Sequence, residues 1–151
     1  MKRSPWLLAA CLSATPAAAQ PSDTAAVLAP IHRLFDGMRA ADSAMVRSAF
    51  HPDARFVRVD TRGDTARVSV DGIERFVAAV GGATAVWDEQ LFDTEVRIDG
   101  AIASVWTGYT FHLGDRFSHC GIDSFELVRT HSGWVIIHLA DTRHSEGCPA
   151  G

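Results

Sequence analysis

The chain has 151 residues, 47% of them hydrophobic and 21% charged, with a formal net charge of −4. That length suits a single domain with a core of its own, and the composition is that of an ordinary globular protein. Its basic residues are not clustered, which argues against nucleic acid as a partner. The only lysine is Lys2, so Schiff-base chemistry is excluded from everything downstream.

Lys2 and Arg3, the apolar run from Trp6 to Leu12 and the small residues Ala17-Ala18-Ala19 have the three-part pattern of a secretory signal peptide cleaved near Ala19. Residues 20–151 are then the mature domain, periplasmic or secreted. Leu8-Ala9-Ala10-Cys11 offers a second reading, a lipidated Cys11. Neither this run nor any other is long enough to span a membrane. Cleavage removes two of the 14 basic residues and none of the 18 acidic ones, leaving 12 against 18, or −6. It also leaves Cys120 and Cys148, and two cysteines in an exported chain suggest one disulfide that ties the C-terminal tail to the strand holding Cys120. The alternative is two free thiols.

Apolar residues at Val27, Leu28, Ile31, Leu34, Phe35 and Met38 predict a helix over 24–41, capped by Asp23 and kinked at, or beginning near, Pro30. Asp42 is placed to cap a short second helix through Met45, Val46 and Phe50, which His51-Pro52-Asp53 ends. Ala54 to Asp60 and Ala66 to Val70 read as a strand pair, with Arg62-Gly63-Asp64 as its turn. Asp71 should cap a third helix over 72–80, stopped by Gly81-Gly82.

From there the period becomes two. Strands are predicted over 86–98, 102–113, 117–129 and 134–142, with turns at Asp99-Gly100, Gly114-Asp115 and His131-Ser132-Gly133. Residues 145–151 are a tail for which Cys148 is the one candidate anchor.

A two-residue turn pairs Leu113 with Arg116 and, continued without a break, sets Asp123 opposite Trp106. A four-residue turn pairs Arg129 with Trp134 and sets Phe125 opposite His138. Trp106, Asp123 and His138 then share one sheet face, with Asp123 and His138 as diagonal neighbours. A bulge would shift every one of these side chains. His119 shares the face, but it lies roughly 13 Å along the strand from Asp123 and cannot bond to it. Asp141 and Arg143 alternate away from that face and suit an ion pair.

The element order, together with LFDGMRAADSAMVRSAFHPDARF, ASVWTGYTF, SHCGIDSFELVRT and GWVIIHLADTR, resembles the nuclear transport factor 2-like (SnoaL-like) superfamily. Within it the segments resemble a branch of small exported bacterial proteins labelled "putative lumazine-binding". The resemblance covers nearly all of residues 24–148. It implies an α+β fold in which three N-terminal helices pack on a strongly curved, mostly antiparallel sheet, forming a cone-shaped half-barrel with a pocket. It also implies a homodimer. The superfamily includes ketosteroid isomerase, scytalone dehydratase, polyketide cyclases and non-catalytic members, so the fold does not fix a reaction.

Three functions are therefore open. The leading expectation is an exported domain that binds an apolar or aromatic small molecule, with Trp106, Tyr109, His119 and Phe125 lining the pocket; the bland alternative for the aromatics is plain core. The second is a cofactor-independent lyase or isomerase, in which Asp123, its pKa raised against an indole, acts as base and His138 shares the proton transfer. Against that, the two could be a satisfied structural pair. The third is a non-catalytic dimeric module. His119, Asp123, His138 and His112 are suitable metal ligands by type, but they have no compact ligand spacing, and neither metal nor cofactor is expected.

Overall fold

The computed structural model describes residues 21–61 and 65–149. The signal-peptide and Cys11 readings, and the turn at Arg62-Gly63-Asp64, lie outside the described residues. The described chain runs α1 (Pro21–Arg39), α2 (Ser43–Ser48), β1 (Phe50–Asp60), β2 (Arg67–Gly72), α3 (Ile73–Gly81), β3 (Trp87–Asp99), β4 (Ile102–Leu113), β5 (Arg116–Thr130) and β6 (Gly133–Arg143). The expectation of three N-terminal helices holds in part: two precede the sheet, and the third lies between β2 and β3.

In α1 the apolar side chains fall one helical turn apart, which buries Val27, Ile31, Leu34, Phe35 and Met38 as a single stripe. The helix continues through Pro30, which sits inside it. Its first turn begins upstream of Asp23, so that residue favours the helix dipole from within, and Arg129 lies 3.5 Å from its carboxylate. The Asp42 carboxylate caps α2, accepting from the Met45 N–H at 2.9 Å. Gly37 lets α2 pack closely on α1, since a Cβ there would lie 2.8 Å from Val46 Cγ2. In α3 the N-cap is Gly72 rather than Asp71, because β2 runs on to Gly72 and keeps Asp71 in the ladder opposite Phe56. Asp71 instead faces Arg75 at 3.6 Å, one turn on.

The strands form one sheet in the order β2-β1-β6-β5-β4-β3, antiparallel except for the β1–β6 pair. The sheet curls without closing: Phe56 of β1 and Trp87 of β3, with three strands between theirs, line one cavity. β1 starts earlier than the sequence suggests. Phe50 pairs with Ile136 and the ladder resumes only at Arg55, so Pro52, which has no N–H to give, falls in the interruption.

Two bulges overturn the predicted registers. Between β4 and β5 the pairing begins as expected, with Leu113 on Arg116 and His112 on Phe117, but Phe111 then pairs with His119. Ser118 is the extra residue. Between β5 and β6, Leu127 pairs with Ile136 and Glu126 with His138, leaving Ile137 extra. Each inserted residue moves the remainder of its strand by one position, and in a strand one position exchanges the faces.

Candidate functional site

The concave side of the sheet and the helices enclose a cavity of ≈360 Å³. Its apolar wall comes from Leu34, Phe35 and Met38 of α1, Phe76 of α3, and Trp87, Phe111 and Leu139 of the sheet. Trp87 and Phe111 meet edge to face with ring centres 6.0 Å apart. The polar wall holds Arg58, Glu89, His119, Asp123, Asp141 and Arg143, with Asp71 and Arg75 beside them.

Register explains how these polar groups come together. Arg58 of β1 is opposite Asp141 of β6, Asp141 is opposite Asp123 of β5, and Asp123 is opposite Thr107 of β4. One row thus crosses four strands on the cavity face. Asp123 and Asp141 are 3% and 5% exposed. The Arg143 Nε donates to Asp141 Oδ2 at 3.0 Å, while the Arg58 guanidinium lies over the Phe56 ring, 4.8 Å from its centre. Thr107 is satisfied elsewhere, 2.8 Å from the Thr94 hydroxyl and donating to the Phe92 carbonyl at 3.1 Å.

The acids are strongly perturbed. Burial, opposed by a hydrogen bond from Asp123, pushes Glu89 up to about 7. Burial and then the charge of Glu89 hold Asp123 well above the usual carboxylate range. Two carboxyls can hydrogen-bond to each other only if one is protonated, so this pair shares a proton in the cavity wall. Burial also raises Asp141, against the pull of Arg143, and burial lowers Arg58, with the charge of Arg143 adding to it.

The expected site residues are dispersed. His119 and Asp123 do line the cavity. The His119 Nδ1 is 3.0 Å from the Ser118 hydroxyl, and its ring is 4.9 Å from that of Phe111. Trp106 pairs with Ser124 instead of Asp123 and is 54% exposed on the opposite face. His138 pairs with Glu126 while its neighbour Leu139 takes the cavity side, so the Asp123–His138 dyad does not form. Phe125 is fully buried in the core, edge-on to Phe35 with ring centres 6.3 Å apart. Tyr109 is also core, its hydroxyl donating to the Thr142 carbonyl at 2.8 Å. Asp141 and Arg143, expected on the far side, face the cavity, and the ion pair between them is present.

Sequence reasoning missed Glu89, Arg58, Asp141 and Arg143 as site residues. Period-two alternation did set Asp141 and Arg143 on one face, and that face is the one that lines the cavity. Among the described residues, no group of three His, Cys, Asp or Glu side chains is arranged to hold a metal ion.

Cys120 and Cys148 form a disulfide that closes a sequence separation of 28. The tail is further fixed by paired backbone bonds between Cys120 and His144, both 3.0 Å.

The sequence profile of the family described as "Putative lumazine-binding" matches residues 22–139. No curated protein matches the chain. Among solved structures, a nuclear transport factor 2-like protein of unknown function from Shewanella baltica OS155 superposes with TM-score 0.64 at 16% identity, covering 83% of this chain and 96% of that one. A nuclear transport factor 2-like protein from Novosphingobium aromaticivorans gives 0.67 at 14% identity, covering 84% of each chain. A Streptomyces avermitilis protein described as a "putative dehydratase" of that family gives 0.63 at 17% identity, covering 82% of this chain and 96% of that one. At these identities the likeness is one of fold.

Proposed function

Since the chain belongs to the family described as "Putative lumazine-binding", within the nuclear transport factor 2-like superfamily, we propose that it is an exported domain that binds a small, largely apolar or aromatic molecule in the cone-shaped interior of its sheet. One observation carries this reading: a cavity of ≈360 Å³ has an aromatic and aliphatic wall on one side and a cluster of ionisable groups on the other, with His119, Asp123 and Asp141 buried among them. Ligand sites combine apolar enclosure with a few fixed polar groups in this way. The disulfide supports a periplasmic or secreted location. The exposed Trp106 and Ile102 on the outer face support a homodimer.

Native mass spectrometry of protein purified from a periplasmic extract tests the reading. A retained organic molecule that is lost from an Ala79→Trp variant, which fills the cavity, is the expected result. A bare mass, with no small molecule taken up from an extract of the producing cells, would overturn it.

A second reading, a cofactor-independent lyase or isomerase, is favoured by one feature. Asp123 holds a proton against Glu89 within an apolar cavity. With His138 on the other face, Glu89 would be the base and Asp123 the hydrogen-bond donor to a developing oxyanion. A pH–rate profile whose optimum is lost in Asp123→Asn would support the enzyme. Ligand binding that survives this change, with no turnover in the wild type, would support the binding module.

A further inference from the structure

We propose that Ser118 and His119 form a nucleophile–base pair in the cavity wall, and that the domain cleaves a small, uncharged aryl or alkyl ester bound there. The inference goes beyond binding and rests on the reading that the cavity takes up a small molecule.

Consecutive strand residues point to opposite faces of a sheet. Ser118 and His119 instead both line the cavity. The cause is the bulge in β5: His112 pairs with Phe117 and Phe111 with His119, so Ser118 is inserted between two rungs of the ladder. Bulges are concentrated beside active sites, where they re-aim a side chain. Here the insertion leaves the Ser118 hydroxyl 3.0 Å from His119 Nδ1, within the reach required of a nucleophile and its base. His119 is 5% exposed, and two rings of β4 fix its imidazole. Tyr109 meets it edge-on with ring centres 5.7 Å apart, and the Phe111 ring is 4.9 Å away. The base is therefore oriented before a substrate arrives.

The surroundings define the substrate. Phe111, opposite His119, offers an apolar wall for an acyl or aryl group together with Trp87 and Leu113. Asp123 pairs with Asp141 and Cys120 with His144, which sets Arg143 opposite Gly121, the next residue after His119 on that face of β5. Its positive charge favours the oxyanion that forms as a carbonyl carbon becomes tetrahedral. In the tautomer with its proton on Nε2, His119 accepts the Ser118 hydroxyl proton at Nδ1. Ser118 Oγ then bonds to the carbonyl carbon, and the alcohol leaves with that proton as its C–O bond breaks. Water gives a proton to the same nitrogen and attacks the Ser118 ester. The Oγ–carbon bond breaks, Oγ regains the proton and the free acid departs.

The test is covalent labelling of the disulfide-bonded protein from a periplasmic extract. The probe is phenylmethanesulfonyl fluoride, a small aryl reagent whose sulfur an activated serine attacks with loss of fluoride. Peptide mapping should place the adduct on Ser118, and Ser118→Ala should lose it. His119→Gln, shown to be folded by circular dichroism, should slow both labelling and phenyl acetate hydrolysis at least about 100-fold. Absence of an adduct on Ser118 in the wild type would overturn the inference, and so would undiminished labelling in His119→Gln. The wild-type mapping decides the matter by itself if that buried substitution prevents folding. A retained organic molecule in the native mass, with no adduct on Ser118, would sink the esterase and leave the small-molecule reading standing. A bare native mass with no adduct would sink both.

Discussion

Asp141 stands directly opposite Asp123 on the neighbouring strand, and both carboxyls are buried on the cavity side of the sheet. Like groups facing each other across a ladder are unfavourable when both are charged. The arrangement persists because Asp141 is ion-paired with Arg143, while Asp123 is hydrogen-bonded to Glu89, and burial raises all three acids. The wall is thus a set of acids raised by burial, one of them opposed by an arginine, and its state depends on pH.

The sign of that dependence comes from the raised values. A buried acid with a folded-state pKa above its unfolded one still binds its proton natively after the unfolded chain has lost it. Its contribution is complete below the unfolded value, 4.5 for Glu89, and is lost as pH rises through about 7. In Glu89→Gln the amide donates to Asp123 without competing for a proton. Thermal melts should therefore show the variant gaining on the wild type as pH rises through that window, with no further gain above about pH 8. A difference that stays flat across the window would mean that the two carboxyls do not share a proton.

Gly121 marks the tightest point of the sheet beside this row. A Cβ there would lie 1.8 Å from the Thr142 carbonyl oxygen, a backbone atom that cannot swing aside. That same carbonyl accepts from Tyr109, and the Thr142 hydroxyl accepts from the Ile122 N–H at 3.0 Å, so β6 cannot retreat without losing both bonds. Gly121→Ala should destabilise the protein by about 3 kcal/mol in chemical denaturation. Gly72→Ala, with nothing within 4 Å of the added atom, should stay within about 0.5 kcal/mol. Similar small losses for both would show that β5 and β6 are farther apart than this close approach requires.

Much of the fold is legible in the sequence because its signals are local. The stripe from Val27 to Met38, the cap at Asp42 and the turns at Asp99-Gly100 and Gly114-Asp115 each depend on a few neighbouring residues, and each stands where the pattern puts it. The site was less legible, because its assembly depends on register. No residue type at Ser118 or Ile137 announces a bulge, yet these two insertions decide which of Trp106 or Thr107 faces Asp123, and which of His138 or Leu139 faces Phe125. Glu89 presents a different difficulty. It comes from an edge strand distant in sequence, and only the curl of the sheet brings it to Asp123.

Two aromatic substitutions separate the faces that register assigns. Phe125 is wholly buried, so Phe125→Ala should cost about 3–5 kcal/mol of stability, the range for emptying an aromatic core position. Trp106 is half-exposed on the outer face, in a groove with Glu95, Arg97 and Glu126. Trp106→Ala should change monomer stability by less than about 1 kcal/mol and leave occupancy of the cavity unaltered. Its effect belongs to association: if the outer face pairs two copies, sedimentation should show a weakened dimer. Loss of ligand in Trp106→Ala with the fold intact would place the indole back among the cavity residues.

The disulfide links the tail to the strand that carries His119 and Asp123, and its removal should be felt as a loss of global stability. Cross-linking across a separation of 28 residues restricts the unfolded chain, which on the loop-entropy account stabilises the fold by roughly 3–4 kcal/mol. For a domain of this size that corresponds to a fall of roughly 10 °C in Tm on reduction. Part of the tail's order should survive, because the Cys120 and His144 backbones are bonded to each other in both directions. Hydrogen exchange on the reduced protein would therefore show lost protection concentrated beyond His144, with the Cys120 amide still protected. Mass spectrometry without denaturant gives the prior check, a gain of two hydrogens on reduction. An unchanged mass would mean free thiols, and an unchanged Tm on confirmed reduction would mean that the unfolded chain gains little freedom when the bridge opens.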